Sequence, residues 1–127
     1  MIDKAPEMKK TIYLVEDNAD ICNLVEYLLA DLGFEVQSYG SVTAFHQRSE
    51  VLPPDMVILD IMLPDGSGLD ICSELKADVA TQPIPVLLMS AHDNGKLLAK
   101  EVAADDFISK PFDIDDFTAI VQHRMAS

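Results

Sequence analysis

The chain has 127 residues, no tryptophan, two cysteines, and nine lysines and arginines against 22 aspartates and glutamates. Each scarcity narrows the reading. A formal net charge of −13 argues against direct nucleic-acid binding and against an anionic membrane surface, because both need cations facing phosphate. The field suits a bound cation or a basic partner. Cys22 and Cys72 stand far apart inside apolar helical patterns, so neither a disulfide framework nor a thiolate zinc site is expected, only reduced buried thiols. His46, His92 and His123 are scattered and form no metal-ligand cluster. No apolar run approaches the ~20 residues that span a bilayer. Residues 1–10 lack the apolar stretch of a secretory signal. The cytoplasm is therefore the expected compartment, with residues 1–9 a flexible polar leader.

Apolar residues make up 49 % of the chain, enough for a core and far from the composition of acidic disorder. The length fits one domain, expected over residues 10–127. There is no internal repeat. Short runs without polar alternation, Ile12–Val15, Met56–Leu59 and Val86–Met89, suit strands covered on both faces. Phe34 to Gln37 alternates, as an edge strand does, and Phe107-Ile108 is a shorter fifth candidate. Between them lie helical spacings. Ile21, Leu24, Val25, Leu28, Leu29 and Leu32 form one stripe, with Asn18 or Asp20 as its cap and Gly33 as its end. A second helix is expected from Ser41 to about Val51. A third carries Leu69, Cys72 and Leu75; a weaker fourth carries Leu97, Leu98 and Val102. The last, capped by Asp113, carries Ile114, Phe117, Ile120, Val121 and Met125. Strict alternation of strand and helix implies an α/β fold, a doubly wound five-stranded parallel sheet with helices on both faces.

Such sheets bind ligands beyond the carboxyl ends of their strands. Polar residues close each apolar run there: Glu16 and Asp17 after the first strand, Asp60 after the third, Ser90 after the fourth, Lys110 after the fifth. A lone aspartate after a strand is ordinarily a cap or a turn residue. Convergence on one edge is harder to explain so simply. Two like charges 4 Å apart repel by about 4 kcal/mol at an effective dielectric near 20. Mg²⁺ relieves that repulsion and takes carboxylates, waters and phosphate oxygens as ligands. An aspartate beside Mg²⁺, a lysine and a hydroxyl is equipped to accept a phosphoryl group.

Four motifs then carry a resemblance: Val15-Glu16-Asp17-Asn18, Val57 through Asp60 to Leu63-Pro64-Asp65-Gly66, Met89-Ser90-Ala91, and Ala104 through Phe107 to Lys110-Pro111-Phe112. Over about residues 10–125 the chain resembles the response-regulator receiver domains of two-component signalling. The resemblance implies a flavodoxin-like sheet of order 2-1-3-4-5. It makes Asp60 the phospho-acceptor and Asp17 a direct Mg²⁺ ligand, with Glu16 acting largely through water and the Met62 backbone carbonyl adding a further ligand. Ser90 would be the switch hydroxyl, Lys110 the partner of the phosphoryl oxygens with a cis bond to Pro111, and Phe107 the aromatic that moves with Ser90. A histidine kinase or phosphotransfer protein would donate the phosphoryl group and a downstream protein would read it, without direct nucleic-acid contact or membrane insertion. A phosphorylation-dependent dimer is compatible with this. Such a domain catalyses its own phosphorylation and its own slow dephosphorylation.

Departures from the family pattern are local. Phe107 replaces the commoner Tyr and has no hydroxyl to offer outward. Ala103-Ala104 stands where Gly-Ala is usual. The stretch from Ser90 to Lys110 is shorter than usual, so His92-Asp93-Asn94-Gly95 is expected to turn tightly into an abbreviated helix. His92 and Met62 lie two residues beyond Ser90 and Asp60, where the family tunes the lifetime of the phosphoryl group. Other functions compete. A flavodoxin-like flavin binder would need phosphate-binding donors where Glu16-Asp17 stands. An aspartyl phosphatase would want an acid where Met62 stands. A stand-alone phosphorelay intermediate and a receiver belonging to a larger regulator or hybrid kinase share the same site chemistry.

Overall fold

Five segments pair side by side in one parallel sheet: β1 (Thr11–Val15), β2 (Glu35–Tyr39), β3 (Met56–Asp60), β6 (Val86–Ser90) and β7 (Asp106–Ser109). A computed structural model describes residues 9–49 and 53–126. Helices α1 (Ala19–Asp31), α2 (Val42–His46), α3 (Gly68–Ala77), α4 (Gly95–Glu101) and α5 (Ile114–Met125) connect or follow these strands, and two short strands, β4 (Met62–Leu63) and β5 (Gly66–Ser67), form a hairpin between β3 and α3. The sheet order is β2-β1-β3-β6-β7, which is 2-1-3-4-5 when the sheet's own strands are counted. Residues 1–8, most of the expected leader, lie outside the described residues.

Alternation along the central strands builds two cores. Tyr13, Val15, Leu59 and Leu88 point to one face, where Phe45 of α2 and Ile71 and Leu75 of α3 cover them. Leu14, Ile58, Leu87 and Met89 point to the other, against Val25 and Leu29 of α1 and Phe117 and Val121 of α5. With both faces covered, β3 and β6 tolerate no exposed position, and both are buried throughout. β2 lies at an edge and keeps its polar residues exposed. Cys72 is wholly buried, and burial pushes its thiol up to about 11; it is the inert core thiol expected of its setting, whereas Cys22, also expected to be buried, is only half-buried. Among the described residues no helix is long and apolar enough to cross a membrane.

The helix ends follow from their sequences. Asn18, not Asp20, caps α1: its Oδ1 accepts the N–H of Ile21 at 3.0 Å. Gly33 ends that helix at φ +93°, with Gly33 N–H bonded to Ala30 and Phe34 N–H to Leu29, the paired bonds of a Schellman stop. Asp113 caps α5 through the amides of Asp115 and Asp116. The Lys110–Pro111 peptide is cis.

Two expectations need correction. The second helix does not continue from Ser41 toward Val51, a residue outside those described; α2 stops at His46. Arg48 folds back there. Its Nη1 donates to the Phe45 carbonyl at 2.9 Å, and its guanidinium lies 4.0 Å from the Phe45 ring centroid. The terminal carbonyl is thus satisfied without a further turn. The β4–β5 hairpin, absent from the sequence reading, follows from Pro64-Asp65 as its two central residues, flanked by paired Leu63 and Gly66.

Ala103 closes α4 with the same stop that Gly33 makes on α1. Its N–H bonds to Lys100, the Ala104 N–H bonds to Ala99, and its φ is +59°. A left-handed alanine costs about 1 kcal/mol more than a glycine. Ala103→Gly should therefore raise the free energy of unfolding by about 0.5 kcal/mol, after the added freedom of glycine in the unfolded chain is subtracted. Urea unfolding measures it, and a loss of stability would contradict this account of the helix end.

Candidate functional site

Strand register assembles the site. β1 and β3 pair Val15 with Leu59, so the next residues, Glu16 and Asp60, lie side by side. β3 pairs Asp60 with Met89, and β6 pairs Ser90 with Ser109. Lys110 follows, its N–H bonded to the Ser90 carbonyl at 2.9 Å. One edge thereby collects residues from positions 16 to 110. Among the described residues, Glu16, Asp60 and Ser90 are the buried side chains of polar type, at 3, 6 and 1 % exposure. All three stand here.

Lys110 joins the two buried acids. Its Nζ donates to Glu16 Oε1 at 2.5 Å and to Asp60 Oδ2 at 2.8 Å. Glu16 Oε2 accepts the Asn18 N–H at 3.2 Å, and Asp60 Oδ1 accepts the Met62 N–H at 3.2 Å. Asp17 is exposed. One carboxylate oxygen from each of Glu16, Asp17 and Asp60 lies within 4.8 Å of the others. Three carboxylates and one ammonium leave −3 + 1 = −2 when all are ionised. Burial pushes the Glu16 carboxyl up; the Lys110 bond opposes this and neighbouring Asp60 reinforces it. Burial pulls Lys110 down, but its bonds to Asp60 and Glu16 outweigh that and hold the ammonium form above its ordinary range. Hard oxygen donors with an uncompensated charge of −2 fit a small divalent cation such as Mg²⁺.

The remaining expected residues are close at hand. Ser90 Oγ accepts the His92 N–H at 2.9 Å. His92 Nδ1 in turn accepts the Asn94 N–H at 3.0 Å, and the Gly95 N–H reaches the His92 carbonyl at 3.0 Å, forming the expected tight turn into α4. Phe107 on β7 is half-buried. Met62 begins β4, its side chain 65 % exposed. One participant escaped the sequence reading. A Cβ on Gly95 would lie 2.6 Å from the Phe107 ring and 3.4 Å from Ser90 Cβ. The first residue of α4 thus packs onto the Ser90–Phe107 pair, and only the absence of a side chain leaves room for the ring. Asn94-Gly95 looked like a turn signal, and nothing local revealed the packing.

Two outcomes follow. Lys110→Met leaves Glu16 and Asp60 buried beside each other without a cation, which should cost about 3 kcal/mol at neutral pH, measured by urea unfolding. A carboxyl whose folded pKa lies above its unfolded value destabilises the fold only while ionised, so the deficit should shrink as pH falls through the Glu16 titration. A pH-independent deficit would contradict the assigned cause. Gly95→Ala should displace the Phe107 ring, seen as shifted aromatic NMR resonances while the amides of β1 and β3 stay in place; an unmoved ring would refute the contact.

Comparison with known proteins agrees with this geometry. Residues 12–122 match the family model described as "Response regulator receiver domain". The alkaline phosphatase synthesis transcriptional regulatory protein PhoP of Bacillus subtilis is 31 % identical over 115 residues, 91 % of this chain and 48 % of that protein. The transcriptional regulatory protein CreB of Escherichia coli is 34 % identical over 104 residues, 82 % of this chain and 45 % of that one. The chain spans about half the length of these relatives. The BeF3-activated receiver domain of DrrB from Thermotoga maritima superposes with a TM-score of 0.83 at 30 % identity, covering 94 % of this chain and all of that one. Register, buried acids and family match converge: this chain belongs to the response-regulator receiver domains of two-component signal transduction.

Proposed function

We propose that residues 10–127 form a phosphorylation-dependent switch in which Asp60 accepts a phosphoryl group from the phosphohistidine of a histidine kinase or phosphotransfer protein, in the cytoplasm. The observation that carries this reading is the Asp60 carboxylate, buried at a strand end, bonded to Lys110 and clustered with Glu16 and Asp17. A carboxylate oxygen of Asp60 attacks phosphorus in line. The O–P bond forms as the P–N bond breaks, and the departing imidazole keeps the electron pair and takes a proton from solvent.

Asp17, Asp60 and the Met62 carbonyl would hold Mg²⁺, with Glu16 behind them through water. The ion, when bound, supplies positive charge to the equatorial phosphoryl oxygens. Lys110 would supply a second positive charge, and its two hydrogen bonds, to Glu16 and Asp60, orient it in advance. The Ser90 hydroxyl, whose oxygen accepts the His92 N–H here, would turn to donate its own proton to a phosphoryl oxygen. Its movement changes the space beside Phe107 and Gly95, and the ring carries the change to a protein partner as a shift between two populations. The chain matches about half of each curated relative, which favours a receiver that works within, or beside, a larger regulator. A flavin binder is disfavoured because the Glu16-Asp17 carboxylates would repel the flavin phosphate.

Incubation with a small acyl-phosphate donor tests the reading by intact mass. One phosphoryl group should add to the wild type, only with Mg²⁺ present, and none to Asp60→Asn. Labelling of Asp60→Asn at the wild-type level would sink the assignment. Beryllium fluoride distinguishes rapid hydrolysis from failure to react: it should shift the amide resonances around Ser90 even where the phosphoryl group is short-lived.

A further inference from the structure

The β4–β5 hairpin carries Met62 at its base and Asp65 at its tip. The base is held by the sheet. Ile61 N–H bonds to the Met89 carbonyl, Gly68 N–H to the Ile61 carbonyl, and Met62 N–H to Asp60 Oδ1. The tip is held by something different. Asp65 Oδ1 accepts the Val42 N–H at 2.8 Å, and Oδ2 accepts both the Thr43 N–H at 2.8 Å and the Thr43 hydroxyl at 2.5 Å. These are the first two amides of α2, whose own cap, Ser41 Oγ, serves only the Ala44 N–H. A side chain more than twenty positions away in sequence thus completes the helix start. The fit is close as well as polar: a Cβ on Gly66 would lie 3.0 Å from Val42 Cγ2. Among the described residues, Asp65 makes the only side-chain hydrogen bonds between this hairpin and α2. Thr43, through its hydroxyl and then its amide, holds the Asp65 carboxyl below its usual range, as charge-assisted bonds do.

We infer that Asp65 is a positioning residue for the metal-binding loop: by clasping the first turn of α2 it fixes the hairpin, and so the backbone at Met62. The inference rests on the proposed function, in which the Met62 carbonyl is a metal ligand. Asp65 itself would touch neither the ion nor the phosphoryl group. The α2 helix, otherwise anchored through Phe45 in the core, becomes the buttress of the site.

Titration of the full chain with Mg²⁺ by calorimetry tests this, with amide hydrogen exchange as a second readout. Asp65→Ala should bind Mg²⁺ about tenfold more weakly, the usual scale for lost support behind a metal ligand, and should exchange the Met62 and Gly66 amides faster. Ser41→Ala, which weakens the start of α2 but keeps the clasp, should bind Mg²⁺ as the wild type does. Asp65→Asn keeps an acceptor and should fall between. At about 0.5 M KCl, where long-range charge effects are screened, the deficit of Asp65→Ala should persist. Wild-type affinity in Asp65→Ala, a deficit abolished by salt, or an equal loss in Ser41→Ala would each overturn the inference. A wild type that binds no Mg²⁺ would instead overturn the proposed function itself.

Discussion

One ammonium group between two buried carboxylates organises the site. Lys110 comes from the far end of the chain, yet its Nζ bonds both Glu16 and Asp60. Without it, two acids would share a nearly dry strand edge; with it, their negative charge is only partly cancelled. The remaining charge, with exposed Asp17 added, makes the edge suitable for a divalent cation. Fold stability and the charge that suits a cation therefore have the same source. Full neutralisation would give a quiet ion pair, and no neutralisation would disfavour the fold.

The parallel sheet makes this economical in parts. Every strand ends at the same edge, so one or two polar residues at the ends of four of the five strands suffice to build the site. The helices then differ in their task. α1 and α5 cover one face with an ordinary apolar stripe. On the other face, the short α2 supports the hairpin beyond Asp60 through Asp65, while α4 sets its first residue against Ser90 and Phe107.

Much of this was legible in the residues. Uninterrupted apolar runs marked the buried strands, because a strand covered on both faces has no polar side to display. Asn18, Gly33 and Asp113 marked helix ends, because caps act on amides two or three positions away. The polar residues after each strand marked the site. The length of α2 was not legible, since it ends where Arg48 returns to Phe45, a contact that periodicity does not encode. The β4–β5 hairpin was hidden because two-residue strands carry no pattern.

What the sequence by itself determined is the class of fold, the edge at which chemistry would gather and the residue types that gather there, all consequences of local spacing and burial. Tertiary structure alone decided which partners those residues take: Lys110 shared between Glu16 and Asp60, Gly95 leaving room for the Phe107 ring, Asp65 reaching across to α2. Each of these joins positions far apart in the chain. Their distance is set by strand register and helix packing, which no single segment contains.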